Sequence, residues 1–348
     1  LCRALKRGTF SFPPSVHICP LPSVPGIGIG AKICYTKPSE EPQKPDMEAP
    51  APLCLRGRRA QQVLTGSVFM YYADSHMHSI VSRDSDSPRA DMARGAVEHG
   101  ISEICFTDHY DITDIDGSYN PRYDWGPARL EQRKALELWG DKVKIRYGIE
   151  VGNVPTDFAC GERVQQEPGL DFVICSVHNL SPDAGGLDFY DFRYRDPETC
   201  YAHLDNYFQT MLQSVQWGKF DIFGHIPYPM RYMRDRDGQD VSLDRYQDQI
   251  REILRVIIDK GRGIEVNTKN WSERIEQDYI QLMTAYHELG GELVTVGSDA
   301  HSPDAVGAQI PESARCQIPR VYDILRSLGF RYVAAFEARK PHFISLEG

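Results

Sequence analysis

From residue 70 onward, short apolar runs alternate with helical stretches, and nearly every run ends on a side chain able to bind a metal. The runs read YYADSHMHS, ICFTDHY, IRYGIEVG, FVICSVHN, FDIFGHI and VTVGSDAH. They end in turn on His76 and His78, His109, Glu150, His178, His225, and the pair Asp299 and His301. Six of the eleven histidines occupy such ends. Strands separated by helices imply an α/β fold with a mainly parallel sheet. In a parallel barrel the C-terminal strand ends share one face, so residues remote in sequence meet in one pocket. The pattern predicts a multinuclear metal site and metal-assisted hydrolysis.

Strands are expected near 70–75, 102–107, 143–150, 171–177, 220–224, 262–266, 293–298 and 331–335. Helices are expected near 88–99, 127–139, 197–217, 242–260, 274–289 and 319–328. Pro88 and Pro197 suit first helical turns, where a missing N–H costs nothing. Gly100, Gly218, Gly261, Gly290 and Gly329 follow helical runs where left-handed caps form. About seven strand–helix units suggest a closed or nearly closed barrel. The segments 110–126 and 179–196 are long for connections in such a fold and are expected to shape a substrate pocket.

The first 69 residues differ from the rest. They hold ten of the 23 prolines and four of the nine cysteines, with nine Lys/Arg against four Asp/Glu. Sequence reasoning divides the chain into a Pro-rich leader at 1–69, expected to be disordered or non-native, and a catalytic domain at 70–348. Met70 stands where a start codon would, directly before the first strand. GIGIGAK at 26–32 lacks the preceding strand and following helix that a nucleotide loop requires. The prolines also break any signal-peptide core, and no apolar run approaches the ~18 residues of a membrane span. No cysteines form a C-x-x-C pair, so a reducing, cytoplasmic setting is expected. Net charge is −10, with the excess acid after residue 69. An acidic body disfavours long nucleic acid, whose phosphates need broad neutralisation. A small phosphorylated substrate remains compatible, as does an oligomer; no membrane partner is expected.

His76-Met77-His78 is the sharpest local signal, because residues i and i+2 of a strand face the same side. Asp84 follows six residues after His78, and Thr107-Asp108-His109 ends the next strand. Each residue alone has an ordinary reading: a core histidine, a strand-end charge at Glu150, or a helix N-cap at Asp299. So many coincidences at strand ends favour a site. His17, His99, His203, His287 and His342 fall in the leader, in helices or in the tail, and are assigned surface or packing roles.

Taken in order, DSHMHS, ICFTDHY, GIEVG, ICSVHNL, FGHIP and VGSDAH resemble the PHP (polymerase and histidinol phosphatase) superfamily across essentially all of 70–348. Among its members the chain is most similar to stand-alone histidinol-phosphatase-like proteins. The resemblance implies a distorted (β/α)7 TIM-like barrel with three metals. His76, His78, Glu150 and Asp299 would hold the first. Glu150 would bridge to a second held by His178 and His225, and Asp84, His109 and His301 would hold the third. Glu150, Asp299 and His301 would carry the catalysis. The implied activity is a metal-dependent phosphomonoesterase, most specifically on L-histidinol phosphate. Nucleotides, short oligonucleotides or other small phosphate esters are alternative substrates, and a non-catalytic metal-binding scaffold is the reading of a different class.

Imidazole mixed with carboxylate suits Zn²⁺, Mn²⁺ or Fe²⁺, so two to three divalent transition-metal ions are expected. Asp108 and Ser298 are candidates to orient ligands through hydrogen bonds. Guanidinium groups match phosphate oxygens, which makes Arg231, Arg234, Arg193 and Arg195 candidate substrate anchors. Asn267 and Lys269 end another strand and join them. Similar family members carry smaller residues where this chain has Lys269-Asn270-Trp271. Tyr110, Tyr123 and Trp125 are expected either to wall the pocket or to pack the long loop.

Overall fold

Strand interiors of this chain are apolar on alternate positions and buried on both faces, as a sheet wrapped by helices requires. The structure, a computed structural model, describes residues 70–307 and 317–347. The expectations for the 1–69 leader lie outside the described residues. The parallel strands are β1 (Ala73–Met77), β2 (Glu103–Phe106), β3 (His109–Asp111), β4 (Lys144–Gly152), β5 (Phe172–Ser176), β6 (Ile222–Phe223), β7 (Gly263–Asn267) and β8 (Val294–Gly297). Their order is β1-β2-β4-β5-β6-β7-β8, with short β3 continuing beside β4 where β2 ends. The ring closes where Asp299 N donates to His76 O at 2.7 Å and His78 N donates to Ala300 O at 2.8 Å. The result is a seven-stranded barrel, as expected.

The helices are α1 (Arg89–Glu98), α2 (Trp125–Trp139), α3 (Phe158–Val164), α4 (Pro197–Trp217), α5 (Gln247–Asp259), α6 (Glu273–Glu288) and α7 (Gln317–Ser327). Carboxylates and a hydroxyl start four of them: Asp124, Asp157, Asp196 and Ser272 each accept from backbone N–H groups of the first turn. The five expected cap glycines all have positive φ. Pro88 sits one residue before α1, at the N-cap rather than inside the first turn. No helix among the described residues is long and apolar enough to cross a membrane.

Alternation along each strand sorts two environments. Val173, Cys175 and Val177 point outward into the main core shared with the helices. Phe172, Ile174, Ile222 and Cys105 form a separate inner cluster with Ala334 and Phe336. Fully burying an aliphatic or aromatic side chain contributes about 1.5–3 kcal/mol, so this plug is a substantial element of the fold.

The run near 331–335 is not a barrel strand, contrary to its simplest reading. It is β9 (Tyr332–Glu337), paired antiparallel with β10 (Lys340–Ser345) in a separate hairpin. Ala338 and Arg339 both take positive φ, the geometry of a two-residue hairpin turn. The hairpin docks at the N-terminal strand ends: Arg339 N donates to Asp171 O at 2.9 Å, and Arg339 Nε pairs with Asp221 at 2.5 Å. Barrel interior below is thus apolar and closed, while the upper half is polar.

Candidate metal centre

Continuing each inner row upward past the apolar plug brings the chemistry into place. Ile174 and Glu150 are register partners on adjacent strands, and Ser176 and His178 follow Ile174 at two-residue steps. All nine residues named as candidate ligands meet in the upper mouth. His76 Nε2 lies 3.0 Å from His78 Nε2 and 3.4 Å from Glu150 Oε2. His78 Nε2 is 3.2 Å from Asp299 Oδ1. His225 Nε2 approaches Glu150 Oε1 to 2.7 Å, and His178 Nε2 lies 3.2 Å from the same oxygen. His301 Nε2 and His109 Nε2 stand 2.9 and 3.5 Å from Asp84 Oδ2. His109 Nδ1 faces Glu150 Oε2 at 2.9 Å, yet neither atom has a hydrogen bond among the described residues. Of the ordinary readings, the helix-cap role for Asp299 fails: this residue takes φ 54°, a left-handed conformation a non-glycine residue seldom adopts.

Which ring nitrogen faces the cluster is set from behind. His76 Nδ1 is 2.7 Å from Glu265 Oε1, and His178 Nδ1 is 2.7 Å from Asp111 Oδ1. His301 Nδ1 meets Asp299 O at 2.9 Å, and His78 Nδ1 meets Ser82 Oγ at 3.1 Å. An imidazole that donates from Nδ1 to an acceptor presents a lone pair at Nε2. When these rings are neutral, four Nε2 lone pairs, joined by the His225 and His109 nitrogens, converge on carboxylate oxygens. Lone pairs at 3.0–3.3 Å from one another repel unless a cation or proton lies between them. This donor set fits divalent transition ions, which bind neutral imidazole and carboxylate while a rear hydrogen bond fixes each ring.

Electrostatics carry the same message. Burial raises the cost of charge at Glu150, yet the His76, His178 and His109 rings outweigh it and hold the carboxyl well below its ordinary range. Asp299 behaves likewise, with Lys269 the foremost of the positive groups that overcome burial. Burial opposes protonation of His178, but Asp111 and Glu150 push its pKa up to about 10. Burial, with the nearby His109 and His301 rings, brings His78 down to about 3. The carboxylates demand positive charge, and protons supply it on some rings but not all.

Two glycines make the rear supports possible. A Cβ at Gly297 would stand 2.3 Å from His76 Cβ and 2.5 Å from Glu265 Oε1. One at Gly152 would stand 1.8 Å from Asp111 Oδ1 and 3.1 Å from His178 Nδ1. Sequence reasoning missed Glu265 and Asp111, although each lies two residues from a candidate it did name, Asn267 and His109, and hence on the same strand face.

A cavity of about 300 Å³ opens above the cluster, lined by Arg83, Asp188, Tyr190, Tyr228, Tyr232 and Lys269 among others. Of the candidate substrate residues, only Lys269 lines it. Lys269 Nζ lies 3.1 Å from Asp299 Oδ1 and 3.2 Å from His301 Nδ1. Asn267 and Arg231 stand beneath the lining: Arg231 Nη2 donates to Asn267 Oδ1 at 2.6 Å and its Nη1 lies 3.4 Å from Asp299 Oδ2. Arg234 points elsewhere, paired with Asp278 at 2.7 Å. Arg193 and Arg195 are exposed outside the cavity, Arg193 Nη1 donating to the Tyr190 and Phe192 carbonyls. Arg83, not foreseen, lies on the rim and meets Asp114 at 2.5 Å and Asp111 at 3.3 Å. Asp108 accepts from Ser82 Oγ at 2.8 Å, so it supports His78 through that hydroxyl. Ser298 donates from its N to Asp74 Oδ1 at 2.8 Å, beside the barrel seam. Tyr110, Tyr123 and Trp125 meet tilted and edge-to-face, with centroids 5.5 and 4.7 Å apart, and pack the long loop instead of walling the cavity. The remaining described histidines lie apart, His99 on Val306 O at 2.9 Å and His342 on Glu103 at 3.0 Å.

The chain is 29% identical over 278 residues to the histidinol-phosphatase of Lactococcus lactis, covering 77% of this chain and 95% of that one. The crystal structure of histidinol phosphate phosphatase from Lactococcus lactis, complexed with zinc, L-histidinol and phosphate, superposes with a TM-score of 0.64 at 24% identity. That match covers 78% of this chain and 99% of the crystallised one, and shows a common fold. The model of the PHP domain matches residues 74–269, more than half of the sequence, and the chain belongs to this family.

Proposed function

We propose that the chain is a metal-dependent phosphomonoesterase that hydrolyses L-histidinol phosphate to L-histidinol and phosphate. The observation that carries this reading is Glu150, both of whose oxygens face imidazole nitrogens at 2.7–3.6 Å with no solvent exposure. Such an oxygen pair suits a carboxylate that bridges two cations. His76, His78, Glu150 and Asp299 would hold one ion, Glu150, His178 and His225 a second, and Asp84, His109 and His301 a third. Bound there, divalent cations supply Lewis acidity, lowering the pKa of water and offsetting charge on the phosphoryl oxygens.

The chain's own residues do the rest. Glu265, Asp111 and Ser82 fix ring orientation and tautomer. Lys269 and Arg83 put positive charge on the cavity wall, where it favours a phosphate. Arg231 reaches the cluster through Asp299 and Asn267, so its influence on substrate passes through those side chains in this arrangement. The cavity is small and sits in an acidic body, which favours a compact phosphate ester over an oligonucleotide.

The test is phosphate release by protein loaded with zinc, manganese or iron, across histidinol phosphate, nucleoside monophosphates and short oligonucleotides. Histidinol phosphate should rank first by kcat/KM. Glu150→Gln should abolish release while the fold persists by circular dichroism. Fewer than two ions per chain, or no release from any ester, would overturn the reading.

A further inference from the structure

Beside the cluster, the cavity wall carries an anion that phosphate chemistry does not need. Asp188 lies in the long 179–196 segment, is 4% exposed and lines the cavity. Its Oδ1 accepts from Tyr190 N at 2.8 Å and from Tyr228 OH at 3.0 Å. Among the described residues its Oδ2 has no hydrogen-bond partner, and no Lys, Arg or His comes within ion-pair distance of the carboxylate. A buried carboxylate without a cation in direct contact is costly, and burial pushes the Asp188 carboxyl pKa up against the more distant pull of the His178 ring. Most buried acids are paired. One kept unpaired against a cavity is placed for a partner that arrives.

We infer that Asp188 is a specificity-determining residue that receives the positively charged amino group of the substrate's alcohol portion. The surroundings agree. The Tyr228 ring lies 5.1 Å from both His178 and His225, so the carboxylate stands one tyrosine side chain away from the cluster. An amino-alcohol phosphate, with its ammonium a few bonds from phosphorus, can span that interval. The Tyr190 and Tyr232 rings, 5.6 Å apart, line the same wall; the Arg236 guanidinium lies over a face of each, at 5.9 and 5.1 Å, and does not itself line the cavity. Lys269, which lies at Asp299 and His301, would thus draw the anionic end of the ester and Asp188 the cationic end. Phosphate esters with neutral or anionic alcohols lose the second contact, and anionic ones meet repulsion.

This inference rests on the phosphoesterase reading for the position of the phosphate, and the experiment separates the two. Calorimetry on the metal-loaded full chain measures binding of L-histidinol and, separately, of inorganic phosphate. Asp188→Asn should weaken L-histidinol by about tenfold or more, as expected for a lost charge-assisted contact, and leave phosphate within about twofold. With unmodified protein, kcat/KM for histidinol phosphate should exceed that for its N-acetylated counterpart by a similar factor, which needs no variant to fold. Equal weakening of both ligands, unchanged histidinol binding, or equal turnover of the two esters would overturn the assignment. A selective loss of histidinol binding in a protein that releases no phosphate would leave it standing and sink the phosphatase reading instead.

Discussion

Arg89 Nη2 and Asp108 Oδ2 meet at 2.6 Å with neither side chain exposed, directly beneath the turn that carries His78. The guanidinium also donates to Gln132 Oε1 at 2.7 Å and lies 4.8 Å from the Phe106 ring centroid. Asp108 accepts from Ser79 N at 2.6 Å, so the pair anchors the loop that follows β1. Removing one partner leaves the other charged and buried, a loss of about 3–5 kcal/mol. Arg89→Met should therefore lower the chemical-denaturation free energy by that order, and adding Asp108→Asn should restore part of it. A single variant as stable as the parent would show the pair to be dispensable.

Glu265 governs the His76 ring from behind. Its carboxyl is held below the usual range because, although burial opposes ionisation, the His76 ring outweighs it. A neutral amide keeps an acceptor for Nδ1 but reduces the basicity of Nε2. Glu265→Gln should weaken metal affinity by about 10- to 100-fold, the usual effect of losing a ligand's outer partner. Competition against a chromophoric chelator gives the number, and parent-like affinity would refute the role.

Gly152 is a packing requirement with a chemical result. Alanine there collides with Asp111 Oδ1, so Asp111 must leave His178 or the strand must shift. Gly152→Ala should lower metal content per chain, measured by elemental analysis after dialysis, and lower turnover with it. An alanine variant with full metal content would mean the carboxylate has room to retreat.

Metal uptake should depend on pH with a definite sign. His76 and His109 lie well above the ordinary imidazole range and His178 near 10, so the metal-free cluster holds protons at neutral pH. Ions must displace them, so affinity rises with pH and binding releases protons. Titration calorimetry in two buffers of different ionisation enthalpy counts those protons; none released would contradict the assignment. Stability of the metal-free form runs the other way. A group with a raised folded-state pKa contributes fully below its unfolded value and loses that contribution as pH climbs through the folded one. For His178 the window runs from about 6.5 up to about 10. The metal-free melting temperature should fall across it, and the metal-loaded one should fall less.

How much of this was legible from residues alone follows from what each residue does. His76, His78, Glu150 and their companions could be found because strand ends in a parallel barrel all face one way, and that rule needs no knowledge of neighbours. Asp111 and Glu265 could not be singled out. An acid inside a strand takes its meaning from the imidazole it touches, which is 67 residues away for Asp111 and 189 for Glu265. The arginines show the converse. Arg234 is claimed by Asp278 and Arg193 by local carbonyls, pairings that sequence distance does not reveal. Short β3 and α3 were also missed, since three and seven residues are too few for a period to emerge.

The hairpin at the foot of the barrel has a kinetic corollary. With the Phe336 ring 4.8 Å from that of Phe172, the floor is stoppered, and among the described residues the nine donors face solvent through the cavity above them. A phosphate released against the cluster must exit past the spot the alcohol has just occupied. Departure is then ordered, alcohol ahead of phosphate, and inorganic phosphate should act as a competitive inhibitor.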